Sequence, residues 1–212
     1  MDTGSLVVST VLLVVVLIAV LSIVYYSWRN GISPLPASAL IRSKIAEEVL
    51  RLSKIQELDR PLFKLKIDDP VERYSTIQQH MDYKTRPKTI IETGSGWGTL
   101  AIFLAKHCPE YKVTGIENSF IPFWISKLWA RFEKVSVNWI RGDMYQYPYE
   151  EANMIICYLF PGAMKRLNPI LRERATTYTY IISVYFALPD WTPEKVVQCV
   201  DIHRTKIYIY KV

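Results

Sequence analysis

Lys88-Thr89-Ile90-Ile91-Glu92-Thr93-Gly94-Ser95-Gly96-Trp97-Gly98 (KTIIETGSGWG) joins a short apolar run to three alternate glycines. A helical pattern then runs from Thr99 to Cys108, with Pro109 just beyond it. The apolar run reads as a buried strand. Glycines after it let the backbone turn tightly and let a ligand approach the main chain. The free N–H groups of the following helix face the same place. In an open α/β sheet, ligands bind at the carboxyl ends of the strands where the strand order reverses, so the segment marks a nucleotide-like site.

Spacing narrows the ligand. A dinucleotide turn wants GxGxxG, but the third-glycine position here holds Thr99. An acid, Glu92, also precedes the glycines, badly placed for a pyrophosphate and well placed for an ammonium group. A second acid, Glu117, ends the next strand, where a carboxylate can accept both ribose hydroxyls. Asp143, in Arg141-Gly142-Asp143-Met144, follows the third strand and can meet an adenine edge. Acids for an amino-acid moiety, a ribose and an adenine together describe S-adenosylmethionine.

Working outward, Lys112–Glu117, Val135–Ile140, Asn153–Leu159 and Tyr180–Phe186 read as further strands. The fourth of the five is too apolar for an exposed edge. Helical patterns fill Ile121–Glu133 and Ala163–Arg174. Lys195–Val200 and Lys206–Val212, around a turn at His203, form a terminal hairpin. Repeated βα units predict a mostly parallel sheet with helices on both faces and an antiparallel end. Upstream, Ala37–Leu58 carries Ile41, Ile45, Val49 and Leu52 on one face, and Asp69-Pro70-Val71-Glu72 is a helix start. The chain therefore divides into residues 1–33, an anchor and hinge; 34–87, a helical preface; and 88–212, the α/β domain.

ETGSGWG, GIEN and RGDM on successive strands resemble the class I S-adenosylmethionine-dependent methyltransferases. The resemblance implies a Rossmann-like sheet and a cofactor site built from Glu92, Gly94, Ser95, Gly96, Gly98, Glu117, Asn118, Asp143 and Met144. Tyr158-Leu159-Phe160-Pro161-Gly162-Ala163-Met164 and Phe186-Ala187-Leu188-Pro189-Asp190-Trp191-Thr192-Pro193 are similar to a narrower group. That group is the membrane-anchored lysine methyltransferases related to the mitochondrial ATP synthase subunit c lysine methyltransferase. Glu92 stands where Asp is commoner in such enzymes. Methyl transfer to lysine needs alignment, a dry pocket and a neutral amine, and burial against apolar walls lowers a lysine pKa. Tyr158, Phe160 and Trp191 are the candidate catalytic walls. Trp191, between Pro189 and Pro193, equally suits a loop staple, and Lys127, Arg131 and Lys134 read most simply as a solvated helix face.

Residues 6–28 carry no charge, and about 20 apolar residues span a bilayer core. MDTGS at the start lacks the basic residues of a signal peptide. Arg29, Arg42 and Lys44 follow the span, which predicts an outside N-terminus and a cytoplasmic domain. Tyr25, Tyr26 and Trp28 suit an interfacial belt. The net charge of +6 lies outside the span, without a basic run or nucleic-acid motif, so a membrane surface is the expected partner rather than nucleic acid. Three scattered cysteines suggest neither a disulfide framework nor a zinc site. The sequence thus points to lysine methylation on a membrane-associated protein. A methyltransferase for a lipid, quinone or other amphiphile, and a non-catalytic cofactor-binding scaffold, are the alternatives.

Overall fold

A computed structural model describes residues 3–30, 36–58, 87–176 and 179–212. The helix expected to start at Asp69 lies outside the described residues. Among the described residues, helix α1 (Thr3–Asn30) is followed by α2 (Ala39–Leu58), and then by a seven-stranded sheet with three further α-helices. The sheet comprises β1 (Lys88–Thr93), β2 (Tyr111–Glu117), β3 (Asn138–Arg141), β4 (Met154–Cys157), β5 (Tyr180–Val184), β6 (Lys195–Gln198) and β7 (Lys206–Lys211). Its order is β3-β2-β1-β4-β5-β7-β6. The first five strands run parallel, and β7 is antiparallel to both β5 and β6. Helices α3 (Thr99–His107), α4 (Phe120–Phe132) and α5 (Pro161–Arg174) make the crossovers. The α/β architecture and the antiparallel hairpin agree with the sequence reading.

Alternation along the strands builds two cores. Ile90, Met154, Ile156, Ile182, Ile207 and Ile209 meet Ile41, Ile45, Val49 and Leu52 of α2 and Leu100 and Leu104 of α3. Ile91, Ile155, Ile181 and Tyr210 face the other way, against Ala163, Met164, Leu167 and Leu171 of α5. Each fully buried Leu or Ile contributes about 1.5–3 kcal/mol, so both faces are needed to hold the sheet. Strand β1 is central, paired in register with β2 (Ile91 with Thr114) and with β4 (Ile91 with Ile155). Its end therefore lies at the point where the strand order reverses.

An ion pair ties α2 to β6. Buried Glu48 of α2 accepts from Arg51 Nε and from Lys195 Nζ of β6, each at 2.6 Å. Helix α1 is apolar, and Thr3–Ser22 is long enough to cross a membrane.

Candidate active site

Strands β1, β2 and β3 end side by side, and each delivers an acid. Glu117 closes β2, and both of its oxygens are engaged. Oε2 accepts from the Gly96 N–H and Oε1 from the Ser119 N–H, each at 2.7 Å. The Ser95 N–H donates to Ile116 O at 2.8 Å, and the Gly142 N–H to Glu117 O at 3.2 Å. The glycine turn is thus clamped to the end of β2, and the segment after β3 is clamped to the same residue.

Gly94, Gly96 and Gly98 have φ of 66°, 53° and 75°, the left-handed region that side chains disfavour. Their surroundings differ. A Cβ on Gly94 would stand 2.9 Å from Leu159 Cδ2 and 3.8 Å from Met144 Sδ, so this glycine brings the turn against the residues that follow β4 and β3. A Cβ on Gly98 would stand 2.5 Å from both Ser126 Cβ and the Trp139 ring. The Gly98 N–H already donates to Ser95 O at 2.8 Å. A glycine is required at position 98, where α4 and Trp139 close on the turn.

Glu92 is 3% exposed, and its Oε2 has no partner among the described residues. Burial pushes its carboxyl up to about 8, against a favourable Ala101 N–H and with a further push from the Glu117 charge. The two acids stand on neighbouring strands, Glu92 opposite Gly115 and Glu117 two residues further along β2. Ser95 Oγ is also buried without a partner among the described residues. Asp143 accepts the Tyr145 N–H at 3.0 Å and so caps the short helix Met144–Gln146. The Tyr149 hydroxyl donates to Met144 O at 2.7 Å and fixes that helix from below. Asn118 is half-buried beside Glu117.

The three candidate wall aromatics are not brought to one wall. Tyr158, after β4, stacks on Tyr185, after β5, with centroids 5.6 Å apart and planes at 15°. Burial, then the neighbouring Tyr185, pushes the Tyr158 hydroxyl up to about 12. Phe160 faces the other core and folds over Gly162, where a Cβ would meet its ring at 2.7 Å. Trp191 donates from Nε1 to Asn168 Oδ1 at 2.5 Å, packs edge-on against Tyr210 and lies under Arg172. These contacts staple the loop after β5 onto α5.

Tyr185 was missed by the sequence reading, which carried the fifth strand through Phe186. The strand ends at Val184, and Tyr185 turns out of it at φ 70°. A non-glycine residue there costs on the order of 1–3 kcal/mol and persists only where its surroundings hold it. Its N–H donates to Lys206 O at 2.9 Å, and Ser183 Oγ donates to Phe186 O at 2.5 Å. The one available signal was its place at the end of the strand neighbouring that of Tyr158.

The donor set suits S-adenosylmethionine. Its observable elements are a buried carboxyl oxygen without a partner among the described residues, a second carboxylate at the end of β2, and a glycine turn between them with backbone N–H groups close by. Strand order and site together are those of the class I S-adenosylmethionine-dependent methyltransferase fold, which the chain resembles. Within it, residues 92–195 match the ANTKMT methyltransferase domain. No curated protein sequence matches the chain. An RNA methyltransferase from Salinibacter ruber, solved with S-adenosyl-L-homocysteine, is similar in fold with a TM-score of 0.54 and 24% identity. That match covers 70% of this chain and 94% of the other. TrmN from Thermus thermophilus is similar at TM-score 0.50 and 14% identity, over 65% of this chain and 48% of its own.

Proposed function

We propose that the domain methylates the side-chain amine of lysine on a membrane-associated protein, held at the bilayer by α1 with the domain on the cytoplasmic side. The observation that carries this reading is the match of residues 92–195 to the ANTKMT methyltransferase domain. The match spans the glycine turn, the acids and both aromatic loops.

When bound, S-adenosylmethionine supplies an electrophilic methyl group for in-line displacement. The chain supplies position and dryness, and orientation alone contributes roughly 7–11 kcal/mol to such a reaction. Glu92 would meet the cofactor ammonium, which favours the ionised carboxylate that burial disfavours. Glu117 is held rigidly by the Gly96 and Ser119 N–H groups and would present its remaining lone pairs to the ribose. Asp143 and Met144 would border the adenine, beside Gly94. Tyr158 and Tyr185 would flank the lysine. Their rings exclude water, which lowers the amine pKa and lets the proton leave to solvent before attack. The same faces would hold a methylated ammonium by cation–π attraction.

The test is mass spectrometry of membrane proteins from cells with and without the gene. A lysine that loses one or more methyl masses in the deleted strain supports the proposal. Incubating those membranes with radiolabelled cofactor separates the alternatives, because label in the organic extract rather than in protein would overturn lysine as the substrate.

A further inference from the structure

Helix α4 is packed inside out. It turns its small residues Ser126 and Ala130 inward, with Pro122 and Phe123. Most of its large ones remain outside. Phe120, Trp124, Ile125, Leu128, Trp129 and Phe132 are all exposed, Phe132 at 77% and Leu128 at 55%. An ordinary surface helix carries polar residues there.

Cations are interleaved with these aromatics. Lys127 Nζ sits 5.2 Å from the centre of the Trp124 ring, and the Arg141 guanidinium 5.1 Å from that of Phe120. Arg131 and Lys134 are exposed at the same end as Phe132. The one acid there, Glu133, is occupied by Lys106 and by the Trp129 indole N–H. The combination of exposed Trp, Phe and Leu with uncompensated Lys and Arg matches the chemistry of a membrane interface, where aromatics sit at headgroup level and cations meet anionic lipid. Helix α1 supplies continuity, since it comes up against α4 and no other helix of the α/β domain meets it as closely among the described residues. The basic residues that read as a solvated face are therefore the rim of an apolar one.

We infer that the outer face of α4 lies in the headgroup layer of an anionic bilayer, so that the domain is seated on the membrane rather than merely tethered above it. This rests on α1 being a membrane anchor. Helix α4 begins three residues after Glu117, so seating its face would bring the cofactor end of the sheet alongside the lipid surface. A lysine within reach of the site would then lie near headgroup level.

The experiment uses the full chain in vesicles of phosphatidylcholine and phosphatidylglycerol. All three native cysteines are buried, so a nitroxide can be placed selectively at Phe132→Cys and, as a control on the opposite face of the sheet, at Lys165→Cys on α5. Flotation of the vesicles first reports whether the protein is anchored, and failure to float refutes the anchor reading and this inference with it. With the protein floating, the expected result is several-fold greater collision with oxygen than with a water-soluble nickel complex at position 132 only. The depth expected is about 5–10 Å below the phosphates. Equal and high nickel accessibility at both positions would show a tethered domain and overturn the seating while leaving the anchor intact. Low accessibility to both quenchers with dipolar broadening at position 132 would mean that a second copy covers the face, which also overturns it.

Discussion

Replacing Glu92 by Gln separates what this residue does for folding from what it does for the cofactor. In the folded, ligand-free protein the carboxyl holds its proton up to about pH 8, whereas its ordinary value is 4.5. Between those values the folded state binds more protons than the unfolded state, so Glu92 makes the protein less stable as pH rises through that window. At about 1.36 kcal/mol per pH unit, the cost reaches roughly 3 kcal/mol at pH 7 and at most about 5 kcal/mol at pH 8. Gln has the same shape and no titration. Glu92→Gln is therefore neutral near pH 5 and stabilising above it, less about 1 kcal/mol for a buried amide without a full set of partners. At roughly 2–4 °C per kcal/mol, the melting temperature should exceed that of the parent by on the order of 10 °C at pH 8. Fluorescence melting of the full chain in detergent micelles, from pH 5 to 8.5, measures it. S-adenosylmethionine binding moves the opposite way. The parent should release a proton on binding at pH 7, visible as a calorimetric heat that depends on buffer ionisation enthalpy, and the variant should bind weakly without one. A melting difference that stays constant across pH would refute the reasoning, because the buried acid would then not be the source of the slope.

Three further substitutions test the site. Glu117→Ala strands two backbone N–H groups and removes the ribose acceptor, so calorimetry should show S-adenosylmethionine binding roughly 10–100-fold weaker; unchanged affinity removes the ribose role. Gly98→Ala forces a side chain into Ser126 and Trp139 at positive φ and should cost about 2–5 kcal/mol by denaturant titration, whereas a stable variant with lost cofactor affinity would place Gly98 among the cofactor contacts. Trp191→Ala should cost about 3 kcal/mol with kcat unchanged below the melting transition, while Tyr185→Ala should raise KM for the proposed protein substrate and leave cofactor affinity alone. The reverse pattern would exchange the two roles.

The glycine turn, the acids and the strand sequence were legible because each depends on local geometry: glycine where φ is positive, a carboxylate at a strand end, an apolar run of strand length. The mostly parallel sheet with an antiparallel end followed from the repeated βα units and the terminal hairpin. Contacts between distant segments were not legible. Gly98 looks like Gly94 in a motif, and only the approach of Ser126 and Trp139 shows that it serves packing. Trp191 and Tyr158 are equally aromatic and equally near a strand end, yet one is committed to Asn168 on α5 and the other to Tyr185. The left-handed turn at Tyr185 breaks a strand pattern that the residue types themselves continue. On α4, the spacing of Lys127, Arg131 and Lys134 showed a charged face, but which side of the helix the sheet would cover depends on Ser126 closing on Gly98 and on Ala130 being buried with it.

Strand β7 occupies the gap between β5 and β6, although it follows both in the chain. Synthesis therefore delivers β6 before the partner on which it depends, and leaves β5 as a raw edge until Lys206–Lys211 emerge. Glu48 of α2 must likewise wait for Lys195. A nascent chain would carry an unfinished, adhesive domain, so translation errors that stop short of Lys206 should send it to proteolysis rather than yield a weakened protein.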